Sequence, residues 1–557
     1  MNTILTALAR TAELSPGRGF HVLKNGKVSS FLSHAELYKS AQARASVMRG
    51  HVTLNERVGL IFFNELSFIE SFFAILLAGG VPVPIAPPQP FSPLQGFYRR
   101  VGLIARQSMI HRFLVSESVS EEVRESLGVH SSSIVQTLDE FSALSESAAA
   151  VPLERPNAIS DTALIQYTSG STSDPKGVVV TQENLILNVA AMCESFEMNA
   201  ESAGVTWLPF FHDMGLIGGL LLPVFAGSDS YIMRTADFVK APLGWLKAIS
   251  DFSLKISPAP NFAYKYCLER FKTDALSGLD LTTWRSATSG AEPINPKVMR
   301  AFTQAFAPYG FTANSIMPLY GMAEATLGAT FTAVGEGMRS VFVDRDALNN
   351  GLVVLADSDA SGNKEIVSCG KPIRHVEVSI RVDNSHFVDT PLLLGEIALK
   401  GNSVCCAYDN DPKNTAAMLE NGWFLTGDIG FLFEQNLYVV GRSKEVIIIN
   451  GANYFANDIE SYTAEVEGVR GVAAVPLIGS DSEECALLIV PAKGHDPSSL
   501  TQIIRRKISD ELGIYISSID IIAAGQLFKT TSGKIDRAKM KSLYNDNFSR
   551  SIEAVNP

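Results

Sequence analysis

The stretch that most constrains this chain is YTSGSTSDPKG at residues 167–177, which lies between the apolar run Ala163–Ile165 and the β-branched run Val178–Thr181. A loop between two strand-like runs offers backbone N–H and hydroxyl groups that can surround a phosphate. Lys176 adds a compact positive charge near its far end. The pattern predicts a phosphate-binding loop, with a solvated Ser/Gly turn as the alternative. Its spacing is not that of a Walker A motif.

The composition describes a globular protein with more than one domain. At 557 residues the chain is too long for one ordinary core, and 46% hydrophobic against 19% charged residues leave ample apolar side chains for burial. The formal net charge is -12, and no run of Lys and Arg forms a basic stripe. We therefore expect no nucleic-acid partner.

The cysteines and the apolar runs argue against export and against a membrane anchor. No C-x-x-C pair occurs, which predicts reduced thiols in a cytosolic chain. The N-terminus offers no signal-peptide core, and the run Gly215–Gly227 is too short to cross a bilayer. We therefore expect a cytoplasmic protein without an integral membrane segment. The cysteines are Cys193, Cys267, Cys369, Cys405, Cys406 and Cys485.

The order of strand-like and helix-like runs predicts an α/β fold. Residues 57–86 have the strand, helix, glycine turn, strand order of a βαβ unit, and similar alternation continues to about residue 330. Two short strands within 343–367 predict a hairpin, and 377–408 a small β-rich subdomain. Strand and helix then alternate again to the end. We predict a large N-terminal domain of α/β layers plus that subdomain, and a small mobile C-terminal α/β domain.

The boundary between these domains is expected at a tight turn. Gly441-Arg442-Ser443-Lys444 lies between two strand-like runs and is followed by a helix-like run. We predict a large N-terminal domain at 1–440, a hinge at 441–444 and a mobile domain at 445–557.

Two motifs in the first half of the chain have residues suited to a nucleotide or acyl pocket. In WLPFFHDMGLIGG, His212 and Asp213 follow an aromatic-rich strand end, and Gly218 and Gly219 permit a close approach. In SGAEPI at 289–294, small residues let a flat ring approach the backbone. A satisfied core histidine is the alternative for the first motif, and the second is uninformative alone.

Three motifs in the second half supply further groups. In LYGMAEAT, Tyr320 and Glu324 share one face if the segment is helical, so that Tyr can stack on a base while Glu binds a hard cation such as Mg²⁺. In WFLTGDIG, Asp428 can accept hydrogen bonds from ribose hydroxyls. FKTTSGKIDR places Lys534 on a Ser-Gly turn. The alternative for the first motif is a buried Tyr with a capping Glu, and for the second an Asx-turn. The alternative for the third is an exposed lysine without a role.

Together the motifs predict chemistry on a nucleoside triphosphate and a carboxylate, because no Ser-His-Asp order, reactive-cysteine context or metal cluster competes. Attack of a carboxylate on the α-phosphate of ATP brings two anions together, so the site has to hold positive charge there. Mg²⁺ and a lysine meet this requirement.

The motifs resemble, in order, those of the ANL adenylate-forming superfamily, which includes acyl-CoA synthetases, nonribosomal peptide adenylation domains and luciferases. The matching stretches are YTSGSTSDPKG, LYGMAEAT, FLTGD, GRSKE and KTTSGKIDR. Within the superfamily, GGVPVPIAPP, LPFFHDMGLIGGLLLPVFAG, ISPAPNFAYKYC, SGAEPI and NGANYFANDIE look most like fatty acyl-AMP ligases. Those enzymes carry an extra segment in the N-terminal domain, which the resemblance maps to 343–367.

The resemblance implies a reaction and a role for each matched residue. A fatty acid and ATP, with Mg²⁺, would form an acyl-adenylate and pyrophosphate, and the acyl group would pass to the phosphopantetheine arm of an acyl carrier protein. The residues implied in catalysis are Lys534, Glu324 (also the Mg²⁺ ligand) and His212. Those implied in nucleotide binding are Thr168, Ser169, Gly170, Ser171, Thr172, Lys176, Asp213, Gly290, Ala291, Glu292, Tyr320, Gly321, Met322, Asp428 and Arg442.

Three other functions remain open. An acyl-CoA ligase would use the same adenylation residues. An amino-acid-activating domain is disfavoured because Asp213 is followed by Met-Gly and apolar residues, with no evident acid to hold an α-amino group. A nucleotide-binding protein without catalysis is disfavoured because both Glu324 and Lys534 are present. The acyl chain itself is expected in an apolar groove. The groove would be lined partly by Trp207, Phe211, Met214 and Leu220, with Gly218 and Gly219 leaving room.

Overall fold

The fold described here is that of a computed structural model. It describes residues 3–88, 94–143, 160–168, 175–271, 276–357, 360, 362–383, 386–449, 452–478, 483–530 and 533–547. The predicted class is confirmed, since a large N-terminal α/β domain precedes a smaller C-terminal one. The α-helices are Ile4–Leu14, His34–Met48, Leu66–Ala78, Leu94–Gln107, Glu121–Ser131, Leu138–Ser142, Gln182–Ser195, Leu222–Ala226, Thr235–Lys240, Leu243–Asp251, Asn261–Glu269, Pro296–Phe306, Arg345–Asn349, Pro412–Met418, Ala456–Ala464, Pro497–Leu512 and Arg537–Asn547.

The largest sheet of the N-terminal domain is parallel in its centre and antiparallel at both ends. In spatial order its strands are Lys371–Pro372, Gly328–Phe331, Ile316–Gly321, Ser286–Ser289, Ile256–Ala259, Gly204–Thr206, Ser230–Ile232, Gly19–Lys24 and Lys27–Ser33. The carboxyl ends of parallel strands meet at one edge of a sheet, where ligands bind in α/β proteins. The segments that follow Ala259, Ser289 and Gly321 therefore share one edge.

A second, parallel sheet contains the predicted βαβ unit. Its strands, in order, are Val81–Pro84, Arg57–Ile61, Arg112–Val115 and Ile134–Thr137. The helix Leu66–Ala78 is apolar on most sides and ends at Gly79, whose φ of 92° is a left-handed conformation that glycine adopts without strain. The antiparallel hairpin of Thr162–Thr168 and Lys176–Thr181 carries the predicted phosphate loop between its strands.

The segment predicted as an insertion is organised differently from our expectation. Its strands Leu355–Ala356 and Asn363–Val367 do not pair with each other, and both pair antiparallel with Ser340–Asp344. The predicted hairpin is therefore wrong, because the preceding strand supplies a partner for each. The β-rich subdomain that follows contains the strands His386–Val388, Glu377–Asp383, Gly395–Lys400, Trp423–Phe433, Leu419–Glu420 and Asn436–Arg442.

The C-terminal domain has a core of its own. The hairpin Val446–Ile449 and Ala452–Phe455 precedes a sheet in which Glu483–Pro491 lies between Val469–Ile478 and Ser518–Ile521. The apolar faces of its first two helices pack on this sheet through Ile459 and Ile504, both fully buried. Within the described ranges, no helix has the length and apolar character needed to cross a membrane.

All six cysteines are free; Cys406 is exposed and the others are buried.

Candidate active site

A cleft of about 2460 Å³ opens between the two domains, and most of the predicted site residues line it. These are Thr168, Lys176, His212, Asp213, Ala291, Glu292, Tyr320, Gly321, Met322, Glu324, Asp428, Arg442 and Lys534. Gly290 instead supports the wall, since a Cβ there would lie only 2.5 Å from Leu319. Ser169, Gly170, Ser171 and Thr172 lie outside the described residues.

The base of the phosphate loop is fixed by its hairpin. Thr168 pairs with Lys176 across the two strands, so both groups stand at the mouth of the loop. The ammonium group of Lys176 lies 4.9 Å from the centre of the Tyr408 ring, within the range of a cation–π contact. The hairpin thus presents a positive charge to the cleft where the loop ends.

Asp428 is the centre of a hydrogen-bonded group. It accepts hydrogen bonds from the Tyr320 hydroxyl at 2.7 Å and from Arg442 Nε at 2.8 Å. Asp428 and Arg442 lie opposite each other on neighbouring antiparallel strands, which explains their contact. The buried Asp428 carboxylate raises the pKa of Arg442, which therefore remains charged. This group offers fixed acceptors and donors to a ribose.

The secondary structure around Tyr320 and Glu324 differs from the helix we considered. Tyr320 belongs to the strand Ile316–Gly321, and Glu324 to a short 3₁₀ turn over Ala323–Ala325. The turn ends at Thr326, whose φ is 68°, and its hydroxyl donates to the Ser403 carbonyl at 2.7 Å. The helical interpretation is wrong, yet both side chains line the same cavity because the strand ends there.

Glu324 is a buried carboxylate suited to Mg²⁺. The Tyr408 hydroxyl donates to its Oε1 at 2.8 Å, and burial raises the pKa of Glu324. Among the described residues, no cluster of three or more His, Cys, Asp or Glu could hold a metal by itself. Mg²⁺ is commonly held by one or two carboxylates together with substrate phosphates, so this single acid beside the phosphate hairpin fits it.

His212 and Asp213 form a close pair at the start of an unusual helix. His212 Nδ1 lies 2.6 Å from Asp213 Oδ1, and Asp213 also accepts from the backbone N–H of Met214 at 2.7 Å. Burial opposes ionisation of Asp213, but His212 and the N–H group outweigh it and lower its pKa. The π-helix Met214–Leu221 follows, a rare conformation often found at functional sites.

Lys534 enters the cleft on a turn of the C-terminal domain. Thr530 donates its N–H to the Lys534 carbonyl at 2.7 Å, and Gly533 has a φ of 88°. The side chain is accessible from the open cleft. Partial desolvation there and the nearby Arg442 lower the pKa of Lys534, against the attraction of Asp428, Asp213 and Glu292. These electrostatic neighbours belong to four separate N-terminal motifs.

Glu292 is held at the opposite wall. Its Oε1 accepts from the backbone N–H of Phe262 at 2.6 Å, and burial raises its pKa. The preceding Ala291 has a φ of 67°, so the chain turns sharply as it leaves the strand Ser286–Ser289. After this turn, both Ala291 and Glu292 line the cleft.

The apolar part of the cleft differs from the groove we predicted. Phe211, Met214 and Gly218 line the cavity, but Trp207 stacks on Phe238 at 3.7 Å inside a hydrophobic core. Leu220 is fully buried. A Cβ on Gly219 would lie 2.8 Å from Thr206, so this glycine permits packing of the helix on a strand. Six other apolar residues of the cleft lining belong to one hydrophobic cluster, and we call this part of the cleft its apolar extension. They are Met192, Phe196, Leu222, Leu319, Leu327 and Phe331.

Sequence reasoning missed Tyr408 and Phe262. Tyr408 follows the uninformative stretch Cys405-Cys406-Ala407, and its partner Glu324 is 84 residues away. Phe262 contributes through its backbone N–H, which no residue type reveals. For Tyr408, the only signal was a lone aromatic residue after an apolar run.

Comparisons with known proteins agree with this site. The profile of the AMP-binding enzyme family matches residues 8–408. The chain belongs to the AMP-binding enzyme family and is an ATP-dependent adenylate-forming ligase. A relative from Moorena producens, the medium-chain-fatty-acid–[acyl-carrier-protein] ligase JamA, is 34% identical over 543 residues, which cover 94% of this chain and 92% of the relative.

Two further comparisons define the branch of that family. A 4-hydroxyphenylalkanoate adenylyltransferase from Mycobacterium marinum is 31% identical and covers 92% of this chain and 86% of its own. A solved structure from work on fatty acyl-adenylate ligases of E. coli and L. pneumophila is 30% identical, with a TM-score of 0.90 and 98% of each chain covered. The predicted class, a fatty acyl-AMP ligase of the adenylate-forming superfamily, is confirmed.

Proposed function

We propose that this enzyme uses Mg-ATP to convert a fatty acid to its acyl-adenylate and then passes the acyl group to the phosphopantetheine arm of an acyl carrier protein. The observation that carries the proposal is the position of Lys534. A lysine of the C-terminal domain lies among acids of the N-terminal domain in a cleft that also has an apolar extension. Likeness to JamA, named for a carrier-protein ligase, supports the acceptor.

The residues of the cleft account for binding of the two substrates. The Asp428 group holds the ribose, the Ala291–Glu292 edge faces the adenine, and Lys176 with the loop that precedes it binds the triphosphate. The apolar extension beyond Gly218 takes the acyl chain and excludes water from it. The carboxylate of the acid then lies near His212, between the apolar extension and the nucleotide.

Lys534 supplies the charge that the reaction needs. The acid oxygen attacks the α-phosphorus, and the bond to the pyrophosphate oxygen breaks, so negative charge concentrates on the α-phosphate. The ammonium group of Lys534 stabilises that charge, and its neighbours Asp213, Glu292 and Asp428 keep it in the cleft. Mg²⁺, when held by Glu324 and the phosphates, would neutralise charge on the departing pyrophosphate.

We propose that Lys534 leaves the cleft before the acyl group passes to the carrier arm. This movement needs a hinge, which we place at residues 441–444 between domains at 1–440 and 445–557. Lys444 lies in the 3₁₀ turn Ser443–Glu445 at this point. Contacts between the domains hold the present arrangement: Lys364 bonds to Asp458 at 2.6 Å, and Arg345 to the Tyr462 hydroxyl at 2.6 Å. Both basic residues belong to the segment 343–367, which we propose to be the insertion of this subfamily.

The decisive experiment separates the two half-reactions. The enzyme is incubated with ATP, Mg²⁺ and a panel of fatty acids, and adenylates are identified by mass. Free CoA or a phosphopantetheinylated carrier protein is then added. Formation of acylated carrier protein, with no formation of acyl-CoA, supports the proposal. Rapid formation of acyl-CoA establishes a CoA ligase. Absence of any adenylate would overturn the assignment of the site.

The free thiols support a reducing, cytoplasmic location, which fractionation of the source cells would test.

A further inference from the structure

Tyr408 contacts two groups that the proposed reaction assigns to different tasks. Its hydroxyl donates to Glu324 Oε1 at 2.8 Å, and its ring lies under the ammonium group of Lys176, 4.9 Å from the ring centre. Its side chain is therefore shared between the carboxylate proposed for the metal and the lysine proposed for the triphosphate. The Tyr408 side chain itself is 7% exposed.

The backbone on both sides of Tyr408 is bonded to the same two elements. Residues 405–409 lie along the start of the strand Lys176–Thr181 on one side and touch the Glu324 turn on the other. The bonds are Val179 N–H to Ala407 O at 3.1 Å, Asp409 N–H to Gly177 O at 2.7 Å and Cys405 N–H to Glu324 O at 2.7 Å. A segment tied in this way has little freedom to move its side chain.

The next residue, Asp409, anchors the segment from behind. Its buried carboxylate accepts from Arg57 at 2.9 Å and from the Ser108 hydroxyl at 2.6 Å, and Ser108 is also hydrogen-bonded to Tyr167 at 2.7 Å. Tyr167 directly precedes Thr168 at the mouth of the phosphate loop. The segment around Tyr408 is thus fixed to three parts of the N-terminal domain, and two of them, the hairpin that ends the phosphate loop and the Glu324 turn, line the cleft.

We infer that Tyr408 is a positioning residue that sets the relation between Glu324 and Lys176. A hydroxyl bonded to Oε1 orients the carboxylate and leaves Oε2 for a cation, and such partners of metal ligands strongly affect metal affinity. The ring face holds the lysine on the phosphate side by a cation–π contact. The inference rests on the proposed role of Glu324 in binding Mg²⁺.

The test uses two substitutions that separate the hydroxyl from the ring. Tyr408→Phe keeps the ring and removes the donor, whereas Tyr408→Leu removes both. Mn²⁺ binding is measured by electron paramagnetic resonance in the presence of a non-hydrolysable ATP analogue, so that no turnover is needed. We expect the Phe variant to weaken metal binding by about 10- to 100-fold. The Leu variant should in addition raise the KM for ATP, which the Phe variant leaves nearly unchanged.

Controls distinguish positioning from loss of structure. Tyr309→Phe, which removes a hydroxyl from a ring packed on Phe306 outside the cleft lining, should leave Mn²⁺ binding unchanged. In a double-mutant cycle, Tyr408→Phe should have no further effect on metal binding once Glu324 is replaced by Gln. An equal loss in both backgrounds, or normal Mn²⁺ binding by Tyr408→Phe, overturns the inference. If Glu324→Gln itself binds Mn²⁺ normally, the proposed metal site fails instead.

Discussion

Substitution of Gly218 by leucine is expected to shorten the acyl chains that the enzyme accepts. Gly218 lines the cleft from the π-helix Met214–Leu221. Apart from its chain neighbours and the backbone of its own helix, Leu327 Cδ2 is the one described atom within 4 Å of a Cβ at this position, at a distance of 3.4 Å. The φ of Gly218 is outside the left-handed region, so a leucine is compatible with the backbone. Its side chain would extend into the apolar extension of the cleft.

The size of the effect follows from the surface that the leucine displaces. Each buried methylene contributes about 0.8 kcal/mol, and a leucine side chain takes the place of roughly three methylenes of the substrate, for a loss of about 2.4 kcal/mol. That loss corresponds to about a 60-fold decrease in kcat/KM. Acids too short to reach Gly218 have no such contacts to lose and should react at the normal rate.

The assay is pyrophosphate release with Mg-ATP over a series of saturated acids of increasing length. We expect kcat/KM of the variant to follow that of the wild type up to one chain length and then to fall below it. Gly218→Ala, which adds one methyl group, is the matched control and should lose only about fourfold on long acids. A uniform decrease for every chain length would refute the reasoning, because it would place Gly218 at the nucleotide or in folding. An unchanged profile would refute it too.

Three further substitutions test other parts of the site. Lys534→Ala should slow adenylate formation by about three decades, since one charge about 4 Å away contributes about 4 kcal/mol at an effective dielectric near 20; full acid-dependent pyrophosphate release would contradict this. Asp428→Asn should raise the KM for ATP by about 10- to 100-fold, because hydrogen bonds to a charged group contribute about 1.5–3 kcal/mol; an unchanged KM in steady-state assays would exclude it from the ribose site. Lys364→Ala removes the bond to Asp458, which contributes about 1 kcal/mol. This variant should speed single-turnover acyl transfer about fivefold and leave the rate of adenylation unchanged. Asp458→Asn should have the same effect, and slower acyl transfer in either variant would contradict a moving domain.

The parts of the fold that were predictable from sequence are those set by local patterns. The βαβ unit follows from an apolar helix that ends at Gly79, where only a left-handed residue continues the chain into the next strand. The cleft residues were found because each stands in a short motif, and some of these motifs, as at Tyr320, lie where a strand ends. Such motifs keep their place at the edge of the sheet even when their local conformation is misjudged, as at Tyr320 and Glu324.

What escaped prediction depends on contacts between distant residues. Trp207 has the aromatic character of a groove residue, but its stacking on Phe238 decides its position, and nothing near Trp207 in the sequence reveals that ring. The strands of the segment 343–367 were paired wrongly because two short runs separated by a turn favour a hairpin, whereas Ser340–Asp344 pairs with both. Tyr408 was missed for the same reason, since its role exists only once the Glu324 turn lies beside it.

The charge distribution accounts for the placement of Lys534, our proposed catalytic lysine, on a separate domain. The cleft that is proposed to bind the phosphates of ATP is lined by three acids, Asp213, Glu292 and Asp428. Without a cation between them, these carboxylates repel the negatively charged phosphates. On the proposed hinge, Lys534 would enter the cleft after ATP has bound and leave before the carrier arm arrives. The cleft would then hold the lysine charge during adenylation and lack it during acyl transfer. Desolvation and the nearby Arg442 disfavour the charged form of Lys534 in the cleft, which lowers its pKa. We propose that the phosphates of bound ATP offset this effect, and that departure of pyrophosphate weakens the attraction between Lys534 and the cleft.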